Sequence, residues 1–313
     1  MDRGTGVLRR DRPRGNALSA FRGTKFEQST LGVILVLPLV IVLLGLLLYP
    51  ILSAFMVSLQ SKTIGTPGKF IGLGNYIELF TKDQAFLEVF ANTIMYAVGS
   101  VILKTVLGFV LALILNEQIA ARGLFRGWML IPWIIPTLVV GLTWRWMFDQ
   151  SGGIINFVLY QLGLVDIPPA WLSDKMLARL AVIIANAWRG VPFFAITILA
   201  GMQTISAELY EAAEIDGASI RQRIRHITLP GVRAVMLVTI ILSTIWTFND
   251  FELLWVMTGG GPSYSTHIFV TYAFSLGFMA SRFGYATAVS LVATPLIIIF
   301  ILLLVPRLWG DES

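Results

Sequence analysis

Apolar runs long enough to cross a bilayer dominate this chain. A helix needs roughly 20 mostly apolar residues to span about 30 Å of hydrocarbon. Six such runs, bounded by charge, Gly or Pro, fall at about residues 31–59, 90–115, 128–148, 180–202, 234–257 and 285–304. The first holds Pro38 and Pro50, the second Lys104, the third Pro132 and Pro136, and the fourth Arg189 and Pro192. The fifth carries Asn249, Asp250 and Glu252 near its end. A seventh stretch, His267 to Met279, is too short to span and reads as an interfacial or re-entrant helix. The predicted fold class is an all-α membrane protein with six transmembrane helices.

Composition supports that assignment. Of 313 residues, 56% are hydrophobic and 13% charged, with a mean hydropathy of +0.78, whereas soluble domains carry roughly 25% charged residues. The placement of the charge then sets an orientation, because cytoplasmic loops are enriched in Lys and Arg. With the N-terminus inside, fourteen Lys and Arg fall on the cytoplasmic side, among them Arg122, Arg126, Arg221, Arg223, Arg225, Arg233 and Arg307. Seven fall outside, including Lys62, Lys82, Lys175, Arg179 and Arg282, so both termini are expected in the cytoplasm. The first apolar run is too long for a signal peptide and no small-residue cleavage site follows it, so it is expected to be a retained anchor. Residues 1–30, rich in Arg and Gly, are expected to form an unstructured basic tail near anionic lipid headgroups, with 309–313 a short C-terminal tail.

Several chemistries are excluded. With no Cys and only His226 and His267, the chain has no disulfide framework, thiolate metal site or cysteine nucleophile. The pair Gly68-Lys69 lacks the upstream Gly and following Ser or Thr of a phosphate-binding loop, and Gly72-Leu73-Gly74 lacks the third Gly of a dinucleotide fingerprint. No cofactor is expected in this chain and it is not expected to be an enzyme; any ATP and Mg would be bound by a separate ATPase. The net charge of +5 is read as membrane orientation rather than nucleic-acid binding.

The loop from residue 206 to 230 is the most informative segment. Leu209, Ala212, Ala213 and Ile215 alternate with Glu208, Glu211, Glu214 and Asp216 at helical spacing, and Gly217 interrupts them. A second, basic helix with Arg221, Arg223 and Arg225 follows, and Leu229-Pro230 is expected to end it. The result is a helical hairpin between spans four and five.

The string Glu211-Ala212-Ala213, Gly217, Ile227 and Leu229-Pro230 resembles, at full spacing, the coupling-loop motif of permease subunits in bacterial ABC importers. The likeness extends along the chain after the tail. Phe70-Ile71-Gly72-Leu73-Gly74-Asn75-Tyr76, Leu130-Ile131-Pro132-Trp133, Trp144-Arg145-Trp146, Trp171-Leu172-Ser173-Asp174 and Phe248-Asn249-Asp250-Phe251 are similar to the carbohydrate branch, the maltose and glycerol-3-phosphate type. So is Met257-Thr258-Gly259-Gly260-Gly261-Pro262. The six-span type is expected to be the closer relative, because the resemblance does not extend to the extra N-terminal spans and large periplasmic insertion of the larger maltose permease subunit.

The resemblance implies a multi-pass protein of the bacterial plasma (inner) membrane. Its partners would be a second permease, a different chain in most of this branch, two ATPase subunits, a periplasmic or extracellular solute-binding protein, and membrane lipid. Glu211, Ala212, Ala213, Gly217, Ile227, Leu229 and Pro230 would dock in an ATPase cleft, and closure of the ATPases would rock the spans between inward- and outward-facing states. A stand-alone secondary carrier or channel is the alternative, but no internal repeat supports it.

Ionisable groups within spans are costly and mark function by default. Topology places Trp246, Asn249, Asp250 and Glu252 of span five in the outer half of the membrane, with Asn186, Trp188 and Arg189 of span four and Trp144 of span three. Aromatic rings beside amides, carboxylates and guanidinium suit a sugar, which packs its C–H faces on rings and pairs its hydroxyls. These residues form the candidate solute path. An Arg189–Asp250 ion pair between helices, and a Lys104 that pairs with another helix, are the structural alternatives.

Overall fold

The computed structural model describes residues 25–117 and 121–304. The basic segment 1–24, Arg307 and the tail 309–313 lie outside the described residues. By contacts the chain falls into two units, residues 1–53 and 54–313.

The first unit holds α1 (Lys25–Leu43) and a wide turn, Leu44–Leu48, that leads into α2 (Tyr49–Ser58). The helix starts at Lys25, inside the segment expected to be unstructured. From Val33 to Leu48 its Val, Ile and Leu side chains are exposed on every face. A helix apolar all round is matched to lipid, and Pro38 is carried inside α1 without ending it.

The second unit opens with a short antiparallel pair, β1 (Gln60–Ser61) and β2 (Lys69–Phe70), followed by α3 (Gly74–Thr81). Then come α4 (Gln84–Asn116), α5 (Arg122–Ile134), α6 (Thr137–Met147), α7 (Ile154–Gln161) and α8 (Lys175–Met202). The hairpin helices α9 (Ala207–Ile215) and α10 (Ile220–Arg223) lead through a wide turn, Ile224–Thr228, into α11 (Leu229–Phe248). Last are α12 (Phe251–Thr258), α13 (Phe269–Phe274) with the wide turn Ser275–Met279, and α14 (Phe283–Leu304). Among the described residues, five helices are long and apolar enough to cross a membrane, and the bent pair α5–α6 makes a sixth candidate span.

The core of this unit is the pair α4 and α8. Their close approach follows from small residues: Ala178, Ala181, Ala185 and Ala195 are fully buried on α8. Gly108 of α4 meets Phe194, and Gly190 of α8 meets the stem of Lys104, so tightly that a β-carbon at either would collide. Within a bilayer, where burial of apolar surface gains little, such contact and interhelical hydrogen bonds hold helices together.

Three expectations change. Span three is not one kinked helix, because α5 and α6 meet at 90°. Ile135 is extended (φ −64°, ψ 132°) as a residue before proline must be, and Pro136 starts α6. Pro132, by contrast, sits inside α5. Span five is longer and broken: its helix runs from Ile220 to Phe248, and Asn249-Asp250 separates it from α12. Leu229-Pro230 does not end the hairpin helix. The turn Ile224–Thr228 widens so that Leu229 N–H reaches back to Ile224 O, and Pro230 enters at the first turn of α11, where it needs no N–H partner.

Candidate functional site

A cavity of about 350 Å³ opens between α4, α5, α8 and the α11–α12 break. Its polar wall is built from Lys104, Asn186, Arg189, Ser243, Thr247, Asn249, Asp250 and Glu252, and its apolar wall from Trp133, Phe193, Phe194 and Trp246. Six of the eight residues predicted for the solute path therefore meet here: Trp246, Asn249, Asp250, Glu252, Asn186 and Arg189. The volume falls in the range of small-molecule sites.

Local structure places each group. Asn249 ends α11, with its Nδ2 bonded to Ile245 O at 2.8 Å, which leaves its amide oxygen for other partners. Asp250 follows in the break, and Glu252 lies in the first turn of α12, where a carboxylate faces the positive end of the helix. On α8, Asn186 and Arg189 are three residues apart and share one face. Asp250 Oδ2 accepts hydrogen bonds from Tyr96 OH and Asn186 Nδ2, both at 2.7 Å. The Arg189–Asp250 ion pair is absent among the described ion pairs. Arg189 Nε and Asn186 Oδ1 are buried without a hydrogen-bond partner.

Lys104 does pair with another helix. It is 4% exposed, and its Nζ donates to Thr247 Oγ1 at 2.9 Å across from α4 to α11. The aromatic wall is continuous: Trp133 stacks on Phe193 at 6.0 Å, and Phe193 meets Trp246 at 5.1 Å.

Trp144 and Trp188 lie elsewhere. Their rings meet edge-on at 5.8 Å, and both line a separate apolar crevice of about 180 Å³ with Ile135, Val139 and Met147. Tyr96, Trp133 and Phe193 are not among the residues predicted for the solute path. Tyr96 and Asp250 are 154 residues apart, and no local pattern links them.

The hairpin is built by its caps. Ser206 caps α9, accepting from Glu208 N–H, and Ser219 caps α10 in a reciprocal pair with Gln222. Between them Gly217 takes φ +74°, with Gly217 N–H on Glu214 O at 3.0 Å and Ala218 N–H on Ala213 O at 2.8 Å. That is the left-handed helix stop that glycine permits without strain. Glu214 pairs with Arg223 at 3.5 Å, and Tyr210 OH bonds Thr228 Oγ1 at 3.0 Å, bracing the two arms. Glu211, Ala212 and Gly217 are exposed, Ala213 and Ile227 half-buried, and Leu229 and Pro230 exposed. Ile215 is 87% and Ile220 68% exposed at the tip.

The family described as binding-protein-dependent transport system inner membrane component matches residues 104–309, which hold both the cavity and the hairpin. The chain belongs to this family. It is 37% identical over 277 residues to the trehalose/maltose transport system permease protein MalF of Thermococcus litoralis, covering 88% of this chain and 92% of that one. It is 34% identical to the sulfoquinovosyl glycerol transport system permease protein SmoG of Agrobacterium fabrum, over 84% of this chain and 85% of that one. Among solved structures, a bacterial ABC transporter involved in the import of the acidic polysaccharide alginate superposes with a TM-score of 0.77 at 23% identity, covering 92% of this chain and 98% of its counterpart. That likeness establishes the fold. The permease is thus a multi-pass membrane component of a binding-protein-dependent transport system, not a stand-alone carrier.

Proposed function

We propose that this permease carries a sugar or sugar derivative, delivered by a solute-binding protein, through the cavity between α4, α5, α8 and the α11–α12 break. The observation that carries the substrate class is the pairing of four aromatic residues on one wall, Trp133, Phe193, Phe194 and Trp246, with amide, guanidinium and carboxylate groups on the other. Rings take the C–H faces of a sugar, and the polar groups take its hydroxyls. The carbohydrate names of MalF and SmoG support the same class. Lys104 and Arg189 stand against Asp250 and Glu252 in formal charge, so the wall as a whole demands no net charge of its solute.

Energy enters through the hairpin. Exposed Ile215, Ile220 and Leu209 offer an apolar tip, with Glu211 beside it, to a cleft on a separate ATPase that holds ATP and Mg. Ala212 and Ala213 permit close approach, and Gly217 fixes the turn. Two ATPases and a second permease complete the assembly in the bacterial plasma membrane, with the hairpin and both termini on the cytoplasmic side. Ile227, Leu229 and Pro230 set the angle at which the hairpin enters α11.

Asn186→Ala tests the solute site. It removes an amide from the cavity wall, and uptake of neutral mono- and disaccharides by the complete transporter should fall about tenfold or more through KM. Wild-type uptake in this variant would remove the site. Purification of the tagged permease tests the assembly: an ATPase should co-elute, and its absence would count against the coupling role.

A further inference from the structure

The cavity's polar wall depends on a residue that does not line it. Tyr96 is 3% exposed and packs in the core with Val182, Leu253 and Leu254, yet its hydroxyl reaches Asp250 Oδ2 at 2.7 Å. We propose that Tyr96 is a positioning residue: with Asn186 it holds the Asp250 carboxylate away from Arg189, so that Asn186 Oδ1 and Arg189 Nε stay unpaired and available to bond the solute. The proposal rests on the cavity being the solute site.

Three observations carry it. First, the Asp250 oxygen only accepts, so the amide of Asn186 must turn its nitrogen toward it, at 2.7 Å. The amide oxygen is thereby directed elsewhere, and it is buried without a partner. Second, Arg189 Nε, one turn along α8, is also buried without a partner. An unpaired acceptor and an unpaired donor one turn apart on the same helix match a hydroxyl, which gives one hydrogen bond and takes another. Third, a carboxylate and a guanidinium lining one cavity ordinarily pair, because charge-assisted bidentate bonds are the strongest available, and a low-dielectric setting favours them further. Here they do not. The two short bonds on Oδ2 supply the competing hold, and loss of the phenol leaves a single amide against a guanidinium.

Tyr96→Phe removes the hydroxyl and keeps the ring, so the core packing is retained. The test uses the complete transporter, with its ATPases and solute-binding protein, in lipid nanodiscs for structure determination and in proteoliposomes for uptake. In Y96F, Asp250 is expected to swing to within 4.0 Å of Arg189 and release Asn186. KM for an imported neutral mono- or disaccharide should rise about tenfold with kcat within about twofold. Y96F should add nothing further in an N186A background, a non-additivity that independent structural damage does not produce. Asp250→Asn, which keeps the size and removes the charge that orients Asn186, is expected to raise KM similarly and serves as the second variant.

An Asp250 still bonded to Asn186 in Y96F overturns the proposal. So does a loss confined to kcat and thermal stability, or an unchanged KM in D250N. If the wild-type transporter imports none of the sugars, or N186A imports normally, the carbohydrate site itself falls. The position of Asp250 in Y96F still decides what Tyr96 does.

Discussion

The phenol of Tyr285 donates to Asp83 Oδ2 at 2.7 Å, fastening the start of α14 to the residue that caps α4. Tyr272 of α13 donates to the same oxygen at 2.8 Å, while Asp83 Oδ1 accepts from Phe86 N–H at 3.1 Å. One carboxylate thus ties three helices together. Asp83→Ala should lose the cap and both phenol bonds, at a cost on the order of 2–4 kcal/mol. Thermal unfolding in detergent should show a clear drop in Tm, whereas KM for the imported solute should stay within about twofold because Asp83 is not part of the cavity wall. Asp83→Asn keeps a capping oxygen and should lose less.

Adjacent glycines in the loop after α12 should respond differently to the same change. Gly259 takes φ +61° and Gly260 φ +89°, so alanine is strained at both. A β-carbon on Gly259 would meet open space, whereas one on Gly260 would run into the His267 ring. Gly259→Ala should therefore cost only about 1–2 kcal/mol of backbone energy. Gly260→Ala must also displace the ring, and its Tm should fall well below that of the Gly259 variant. Equal Tm values would contradict the packing described.

His267 predicts an acid sensitivity. It is 5% exposed among the rings of Trp255, Tyr264 and Tyr272, with the Thr271 hydroxyl at 3.1 Å from Nδ1. Burial pushes its pKa down to about 4 from 6.5. The folded state therefore resists protonation while the unfolded state takes a proton below about 6.5. Stability should fall as pH drops from about 6.5 to about 4 and then level off, a loss on the order of 2 kcal/mol by pH 5. Comparison of Tm at pH 7.5 and pH 5 should show a larger decrease in the wild type than in His267→Gln. An identical decrease would assign the sensitivity to other groups.

What the sequence discloses follows from which forces are local. Apolar runs, helix caps and Gly217 act over a few residues, so the spans and the hairpin can be read in advance. Six of the eight predicted path residues converge because polar groups in apolar runs have few places to go. The 90° bend at Ile135-Pro136 and the wide turn before Pro230 are less legible. A proline signals strain but does not say whether the chain kinks, breaks or widens to absorb it. That Lys104 pairs with another helix could be read in advance, but its partner Thr247, 143 residues away, could not, nor could Tyr96–Asp250, 154 residues apart, since packing alone joins them. Trp144 and Trp188 mislead for a related reason: depth in the membrane gives a level but not the face a side chain occupies, and both turn toward a separate crevice.

The hairpin allows coupling to be separated from stability. Glu211 is exposed and has no part in the brace of Glu214 with Arg223 and Tyr210 with Thr228. Glu211→Ala should therefore leave Tm unchanged, since exposed single substitutions of this kind rarely matter. If Glu211 engages a basic group on the ATPase, the variant should uncouple. Solute transport in proteoliposomes should fall about tenfold, as expected for a lost charge pair at an interface, with the permease still present at wild-type levels. Gly217→Ala is the complementary case. A β-carbon there meets nothing, so the cost is the left-handed backbone alone, about 1–2 kcal/mol. Gly217→Asn, which tolerates that conformation better, should recover part of the loss. Wild-type transport in Glu211→Ala would count against a coupling role for this carboxylate.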